Sequence, residues 1–279
     1  MTVPGLRGFA RTSRLRVRWL LPGAAAIVAA ACVSTRPEPL SSGAQAGFAR
    51  VAAARQHQAA ALQGLFAKAG AETPGPLVIV VYKAERRLEL WGLSRRRKRF
   101  VPVATYPMLA TSGVLGPKRR SWDHQIPEGF YRIAALNPVS LYHLSLLVDY
   151  PNRSDRLLGD RRDPGDDIFI HGDHVSDGCI AIGDRAIEQV YLAALESRAS
   201  GHDVPVEILP CRFTDSTCRA LLRREAERKP ELVAFWGNLA AGFEEFERSG
   251  LPPRVSVATS GRYVFSQGET SRIASSRSK

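Results

Sequence analysis

The sequence predicts a mostly-β domain with flanking helices, α+β overall. Three observations point there. Between residues 77 and 209 the chain is cut into short apolar or alternating runs separated by turn-forming segments, which is a strand pattern. Inside that stretch the clearest helical spacing is Ile187, Val190, Tyr191 and Ala194, after a polar loop. Two further apolar stripes at helical spacing come only after residue 209, so helices flank the strands rather than alternate with them.

A chain of 279 residues holds one sizeable domain with extensions, or two small ones. The formal charge is +12 and the isoelectric point is near 10.1. A basic chain often binds nucleic acid, but the arginines are scattered and no nucleic-acid-binding module is recognisable. Much of the excess sits at the start, where Arg7, Arg11, Arg14, Arg16 and Arg18 occur without an acid. They precede the apolar run from Trp19 to Val33, which is short of the ~20 residues of a membrane span and is broken by Pro22 and Gly23. Residues 1–33 therefore read as an export signal, and the mature chain is expected in the periplasm or cell envelope. Ala29-Ala-Ala-Cys32 fits a lipoprotein cleavage site with Cys32 lipidated and membrane-anchored. Ala29-Ala-Ala31 fits ordinary signal peptidase equally, so both forms stand.

Residues 34–76 read as a linker and a helix. The linker is rich in Ser, Pro and Gly, and the alanine-rich stretch 48–70 favours helix, with His57 on its solvated side. Thr73-Pro-Gly-Pro76 breaks the pattern. Leu77–Tyr82 is a continuous apolar strand, and residues 87–91 alternate as its hairpin partner. Arg95-Arg-Arg-Lys-Arg99 is expected at a solvated hairpin tip before a strand at 100–106. Further strands are expected at 108–111, 129–133, 141–148 and 204–209. Lys118, Arg119 and Arg120 follow a Gly-Pro turn as a cationic loop. His143 falls in the expected 141–148 strand, where a histidine is either structural or a ligand contact. Residues 210–266 form an accessory unit of two helices, 214–229 and 231–248, and a short hairpin at 252–266. The tail 267–279 is polar and expected to be disordered.

The chemistry concentrates in Ile168-Phe-Ile-His-Gly-Asp-His-Val-Ser-Asp-Gly-Cys-Ile-Ala-Ile182. A short strand runs into a loop carrying His171, His174, Ser176, Asp177, Gly178 and Cys179, and a helix begins near Asp184 as its N-cap. A cysteine after a glycine, between strand and helix, exposes its sulfur to backbone N–H groups that can face an oxyanion. The thiol needs a base to become a nucleophile, and His171 and His174 are eight and five residues upstream. Of the four cysteines, Cys211 and Cys218 are seven residues apart and fit a disulfide in an exported chain. That leaves Cys179 free.

His171-Gly-Asp-His-Val-Ser-Asp-Gly-Cys179 resembles the signature of the L,D-transpeptidase (YkuD-type) catalytic domain, and most closely its YafK-like branch. Val80-Val-Tyr-Lys-Ala-Glu-Arg-Arg-Leu-Glu-Leu-Trp91, Gly116-Pro-Lys-Arg-Arg120, Pro127-Glu-Gly-Phe-Tyr131, Leu136-Asn-Pro-Val-Ser-Leu-Tyr-His-Leu-Ser145 and Tyr150-Pro-Asn-Arg-Ser-Asp-Arg156 carry the same resemblance. It covers about residues 77–209. The common form has histidine directly before Gly-Cys, where this chain has Asp177. The resemblance implies a β-sandwich and a cysteine acyltransferase acting on meso-diaminopimelate-containing stem peptides of peptidoglycan. It implies Cys179 as nucleophile, His171 as base, and Gly178, Ser176, Asp177 and His174 as oxyanion or supporting residues. Lys118, Arg119 and His143 become candidate substrate contacts. An amine acceptor makes the enzyme a transpeptidase. Water makes it a hydrolase of cross-links or of protein–peptidoglycan links, and a peptidoglycan-linked envelope protein is then a partner.

No cofactor is expected. A zinc site from His171, His174, Asp173 and Cys179 competes weakly, because zinc favours a closed set of four ligands. A non-catalytic envelope-binding protein is the other alternative, and the export signal argues against DNA binding.

Overall fold

A computed structural model describes residue 44 and residues 47–268. The expected signal segment, Cys32 and most of the C-terminal tail lie outside the described residues. The element order is α1 (Ala49–Ala69), β1 (Leu77–Tyr82), β2 (Arg87–Ser94), β3 (Arg99–Pro107), β4 (Gly129–Asn137), β5 (Ser145–Val148), α2 (Arg153–Leu158), β6 (Ile168–His171), β7 (Ile180–Ala181), α3 (Asp184–Ala199), β8 (Pro205–Leu209), α4 (Ser216–Arg228), α5 (Leu232–Ser249), β9 (Arg254–Val257) and β10 (Tyr263–Ser266).

Eight strands form one sheet in the order β3-β2-β1-β8-β4-β5-β6-β7, and β9 and β10 make a separate hairpin. β4 joins the two halves of the large sheet. Its first residues pair with β8 (Gly129 with Ile208), and its last pair with β5 (Asn137 with Ser145), with a register shift between Ile133 and Ala135. Just beyond β3, Ala110 bridges to Ala181 of β7, so the two ends of the strand order meet and the sheet curls. This is the expected α+β class, built on a large curled sheet.

β1 is apolar without alternation because both of its faces are buried. Leu77, Ile79 and Val81 point into one core together with Val51, Leu62 and Phe66 of α1 and Ile187, Val190 and Tyr191 of α3. Val78, Val80 and Tyr82 point into a second core with Trp236, Leu239, Phe243 and Phe246 of α5. Those α5 residues recur at three- and four-residue spacing, which places them on one helical face. The accessory unit therefore covers the second face of the sheet rather than standing apart from it. Cys211 and Cys218 are joined by a disulfide with Cα atoms 5.6 Å apart, tying the exit of β8 to α4.

Four expectations need correction. Residues 108–111 are not a strand but contribute the single bridge at Ala110. The strand expected at 141–148 shrinks to Ser145–Val148, and residues 138–144 form turns in which His143 has φ 70°. Asp184 is the first helical residue of α3, and Gly183 is its N-cap. The short helix α2 was not expected. Asn152 caps it, taking N–H donations from Ser154 and Asp155, while the Asp155 carboxylate receives the Asn152 N–H.

Candidate active site

β6 runs between β5 and β7 and is the axis of the site. Its parallel register with β7 pairs Ile170 with Ile180 and His171 with Ala181, which puts Cys179 level with Phe169. Strand side chains alternate between faces. Ile168, Ile170 and Ile180 thus enter the core, and Phe169, His171 and Cys179 share the opposite face, with His171 one strand over and two residues further along. The Phe169 N–H donates to Cys179 Sγ at 3.5 Å. Cys179 is a half-buried free thiol. Burial pushes that thiol up. The Phe169 N–H and the Lys118 ammonium oppose the rise, and Asp177 and Asp167 add to it.

His171 is buried, and its Nδ1 lies 2.6 Å from the carbonyl oxygen of Gly172. A carbonyl only accepts, so Nδ1 carries the proton and Nε2 keeps its lone pair. The Tyr142 ring packs on the imidazole with centroids 4.7 Å apart. Burial pulls the His171 pKa down, which holds the ring neutral. Among the described residues no hydrogen bond joins His171 to Cys179. Such pairs often tighten only when substrate is bound.

The loop after β6 is tied from three sides. The Gly172 N–H donates to the carbonyls of Tyr142 and Leu144, Asp184 Oδ1 receives the Asp173 N–H, and Arg50 of α1 donates to the carbonyl oxygens of Ser140 and His143. Gly172 is required there. A Cβ would meet Asp184 Oδ1 at 2.5 Å and the Tyr142 carbonyl oxygen at 2.8 Å.

The cysteine turn is braced by the 108–128 segment. The Gly178 N–H donates to Ser112 Oγ at 2.6 Å, and Ser176 Oγ donates to the Cys179 carbonyl at 2.6 Å. Gly178 has φ 83°, a conformation that glycine adopts at little cost. Lys83 and Glu128, an almost fully buried pair 3.1 Å apart, hold the segment itself. Lys83 Nζ also donates to the carbonyls of Val114, Gly116 and Ile126, and Glu128 accepts from Trp236 Nε1 of α5.

The other candidates are dispersed. His174 is exposed and, among the described residues, pairs only with neighbouring Asp173, at 2.7 Å. His143 lies in a turn rather than a strand, and its Nε2 sits 2.9 Å from Glu188 of α3. Lys118 is not a free cation. It is buried, donates to Asp123 Oδ1 at 2.6 Å and to the Arg120 carbonyl, and so closes its own loop. Arg119 lies with its guanidinium over the Phe235 ring, 5.0 Å from the centroid. Asp177 pairs with exposed His124 at 2.6 Å, so a histidine from a distant loop stands beside the position where the common motif carries one. Neither His124 nor Ser112 was expected, because no local motif marks a residue more than fifty positions away. Among the described residues no group of three or more His, Cys, Asp or Glu side chains is placed to hold a metal ion.

A buried histidine at the end of β6 and a free cysteine just before β7, inside a motif of this form, are the arrangement expected of an L,D-transpeptidase-type site. The L,D-transpeptidase (YkuD) catalytic domain family matches residues 76–208, and the chain belongs to this family. It is 33% identical over 195 residues, 69% of this chain and 74% of the relative, to the Escherichia coli K12 protein named "Putative L,D-transpeptidase YafK". Among solved structures it resembles the helical cell shape determining protein Pgp2 of Campylobacter jejuni, with a TM-score of 0.40 and 13% identity, covering 71% of this chain and 79% of that one. A second likeness is Bd1075 of Bdellovibrio bacteriovorus, with a TM-score of 0.36, 24% identity and 55% and 56% coverage.

Proposed function

We propose that this protein is an exported cysteine L,D-transpeptidase that acts on meso-diaminopimelate-containing stem peptides of peptidoglycan through a thioester at Cys179. The observation that carries the reading is the shared face of Cys179 and His171, with His171 Nδ1 committed to the Gly172 carbonyl and Nε2 open as a base. Cys179 Sγ attacks the diaminopimelate carbonyl while His171 Nε2 takes the thiol proton. The C–N bond to the following residue then breaks, and the departing amine takes that proton from the imidazolium. In the second half an amine attacks the thioester and gives its proton to His171. The S–C bond breaks and the thiol regains the proton. The Gly178 N–H is already engaged by Ser112, so the Cys179 N–H is the donor we assign to the oxyanion.

Water in place of the amine would make the enzyme a hydrolase of cross-links or protein–peptidoglycan links. The side chains of His174 and Asp177, on the loop leading to Cys179, are exposed to solvent, and this favours retaining that second reading. Lipid anchoring through Cys32 belongs to the same proposal and would hold the domain near the membrane.

Intact-mass analysis of the protein mixed with a diaminopimelate-containing disaccharide-tetrapeptide, with Cys179→Ala in parallel, tests the assignment. A cross-linked or amine-exchanged product absent from the variant is the expected result. Shortened peptide without dimer would establish hydrolysis, and no covalent chemistry on either free or protein-linked muropeptide would sink the proposal.

A further inference from the structure

A larger cavity lies on the other side of the segment that braces the cysteine turn. It holds about 480 Å³, against about 90 Å³ for the pocket beside Asp177. One wall is the 115–125 loop, and the others come from α5 and the turn between β9 and β10. A volume of this size suits several residues of peptide.

Its charges are unbalanced. Arg119, Lys229 and Arg262 face a single carboxylate, Glu231, over an apolar floor that includes Leu232 and Phe235. Arg119 approaches Asp155 only to 4.0 Å, and its buried Nη1 has no hydrogen-bond partner. A buried guanidinium N–H left unpaired is costly, and a planar carboxylate is the acceptor its fork fits best. The side chains of Lys229 and Arg262 have no ion-pair or hydrogen-bond partner among the described residues.

The cavity also adjoins the chemistry. Gln125 lines it, takes the Val114 N–H on its side-chain oxygen, and places its carbonyl oxygen 3.2 Å from where a Cβ on Gly178 would stand. A ligand here leans on the same segment that holds the Cys179 turn.

We propose that this cavity is a second binding site, for a carboxylate-bearing peptide gripped by Arg119, Lys229 and Arg262. The naming of that peptide as a peptidoglycan stem peptide rests on the function proposed above; the charge and shape of the cavity do not. The accessory unit is then part of the binding surface, because α5 supplies the floor and the β9–β10 turn supplies Arg262.

The test is isothermal titration of the full chain carrying Cys179→Ala with a free diaminopimelate-containing tetrapeptide. Adding Lys229→Ala and Arg262→Ala together is expected to weaken binding about tenfold. Affinity of the parent should fall as salt is raised. Matching thermal melts would show that the triple variant is folded. Equal affinity with and without the two cations would overturn the site, and so would inorganic phosphate binding as tightly as the peptide. If the protein with Cys179 intact turns over substrate while the two substitutions leave affinity unchanged, the cavity falls and the Cys179 chemistry stands. If the two substitutions abolish binding and no turnover is ever seen, the cavity stands and the chemistry falls.

Discussion

Cys179 and His171 are both held in their neutral forms, by the same cause. Burial raises the thiol and lowers the imidazole, which is the reverse of a resting thiolate–imidazolium pair. In the proposed reaction, proton transfer would then accompany attack rather than precede it. Alkylation of Cys179 by iodoacetamide, followed by mass, is therefore expected to be slow at neutral pH and still rising at about pH 9. A rate already level near neutrality would reveal a preformed ion pair. Gly172 carries a second prediction at this scale. With Asp184 Oδ1 2.5 Å and the Tyr142 carbonyl 2.8 Å from an added Cβ, Gly172→Ala should cost about 1–3 kcal/mol in urea unfolding and displace the His171 ring. No loss of stability would mean that the loop yields freely. Cys179 and His171 stood out in the sequence because a thiol, an imidazole and small residues crowd into nine positions. Ser112 and His124 were not, since they reach the site from 66 and 53 residues away. The burial of Lys118 was not legible, because it depends on Asp123, which folds back on it only in three dimensions.

Among the elements, the 108–128 segment shows most plainly what local pattern misses. It has almost no regular structure, yet Lys83 at the end of β1 gathers three of its carbonyls and the Glu128 carboxylate onto one ammonium. Removing one member of such a buried pair strands the other charge. Lys83→Met is expected to cost about 3–5 kcal/mol, measured by denaturant unfolding, and to free the brace on the Cys179 turn. Lys83→Met with Glu128→Gln should recover part of that loss, and a double variant no better than the single would show that the carbonyl contacts dominate. The strands that were legible, β1 to β3 and β8, have an apolar run or a clean alternation that ends at turn residues. The failures share a cause. Residues 108–111 and 141–144 are apolar enough for strands, but their neighbours pull them elsewhere: Leu109 donates to Ala181, and Arg50 clamps the carbonyls of Ser140 and His143. α2 has only six residues, too few for a periodicity, although Asn152 and Asp155 at capping-box spacing would have marked its start.

For the molecule as a whole, the decisive feature is that the β3-β2-β1-β8-β4 part of the sheet is buried on both faces, with the accessory helices as its second layer. β8 lies between β1 and β4 at the middle of that sheet, and its alternation sends Val206 and Ile208 into one core and Leu209 into the other. Glu207 shares the face of Leu209. It is buried there with Oε2 unpaired, and desolvation, together with nearby Glu247, raises its pKa to about 8. Asp155, buried at the cap of α2, is raised by desolvation to about 7. Both carboxyls therefore titrate higher in the folded protein than in the unfolded chain, and the folded state holds more protons between their unfolded and folded values. The stability they contribute is complete below about pH 4 and is lost as pH rises through 7 and 8. His171 and His202, both lowered by burial, act oppositely, but only below their ordinary value of 6.5. Buried Lys83, also lowered by desolvation, acts oppositely up to its ordinary value of 10.5, so the carboxyl contribution is read as a difference between variants. As pH is raised from about 6.5 to about 8.5, the melting temperature of the parent should fall relative to that of Glu207→Gln, which lacks the larger of the two titrations, while Asp155→Asn should disturb the α2 cap as well. A difference between parent and Glu207→Gln that stays constant across this window would mean that Glu207 is ionised in the folded protein.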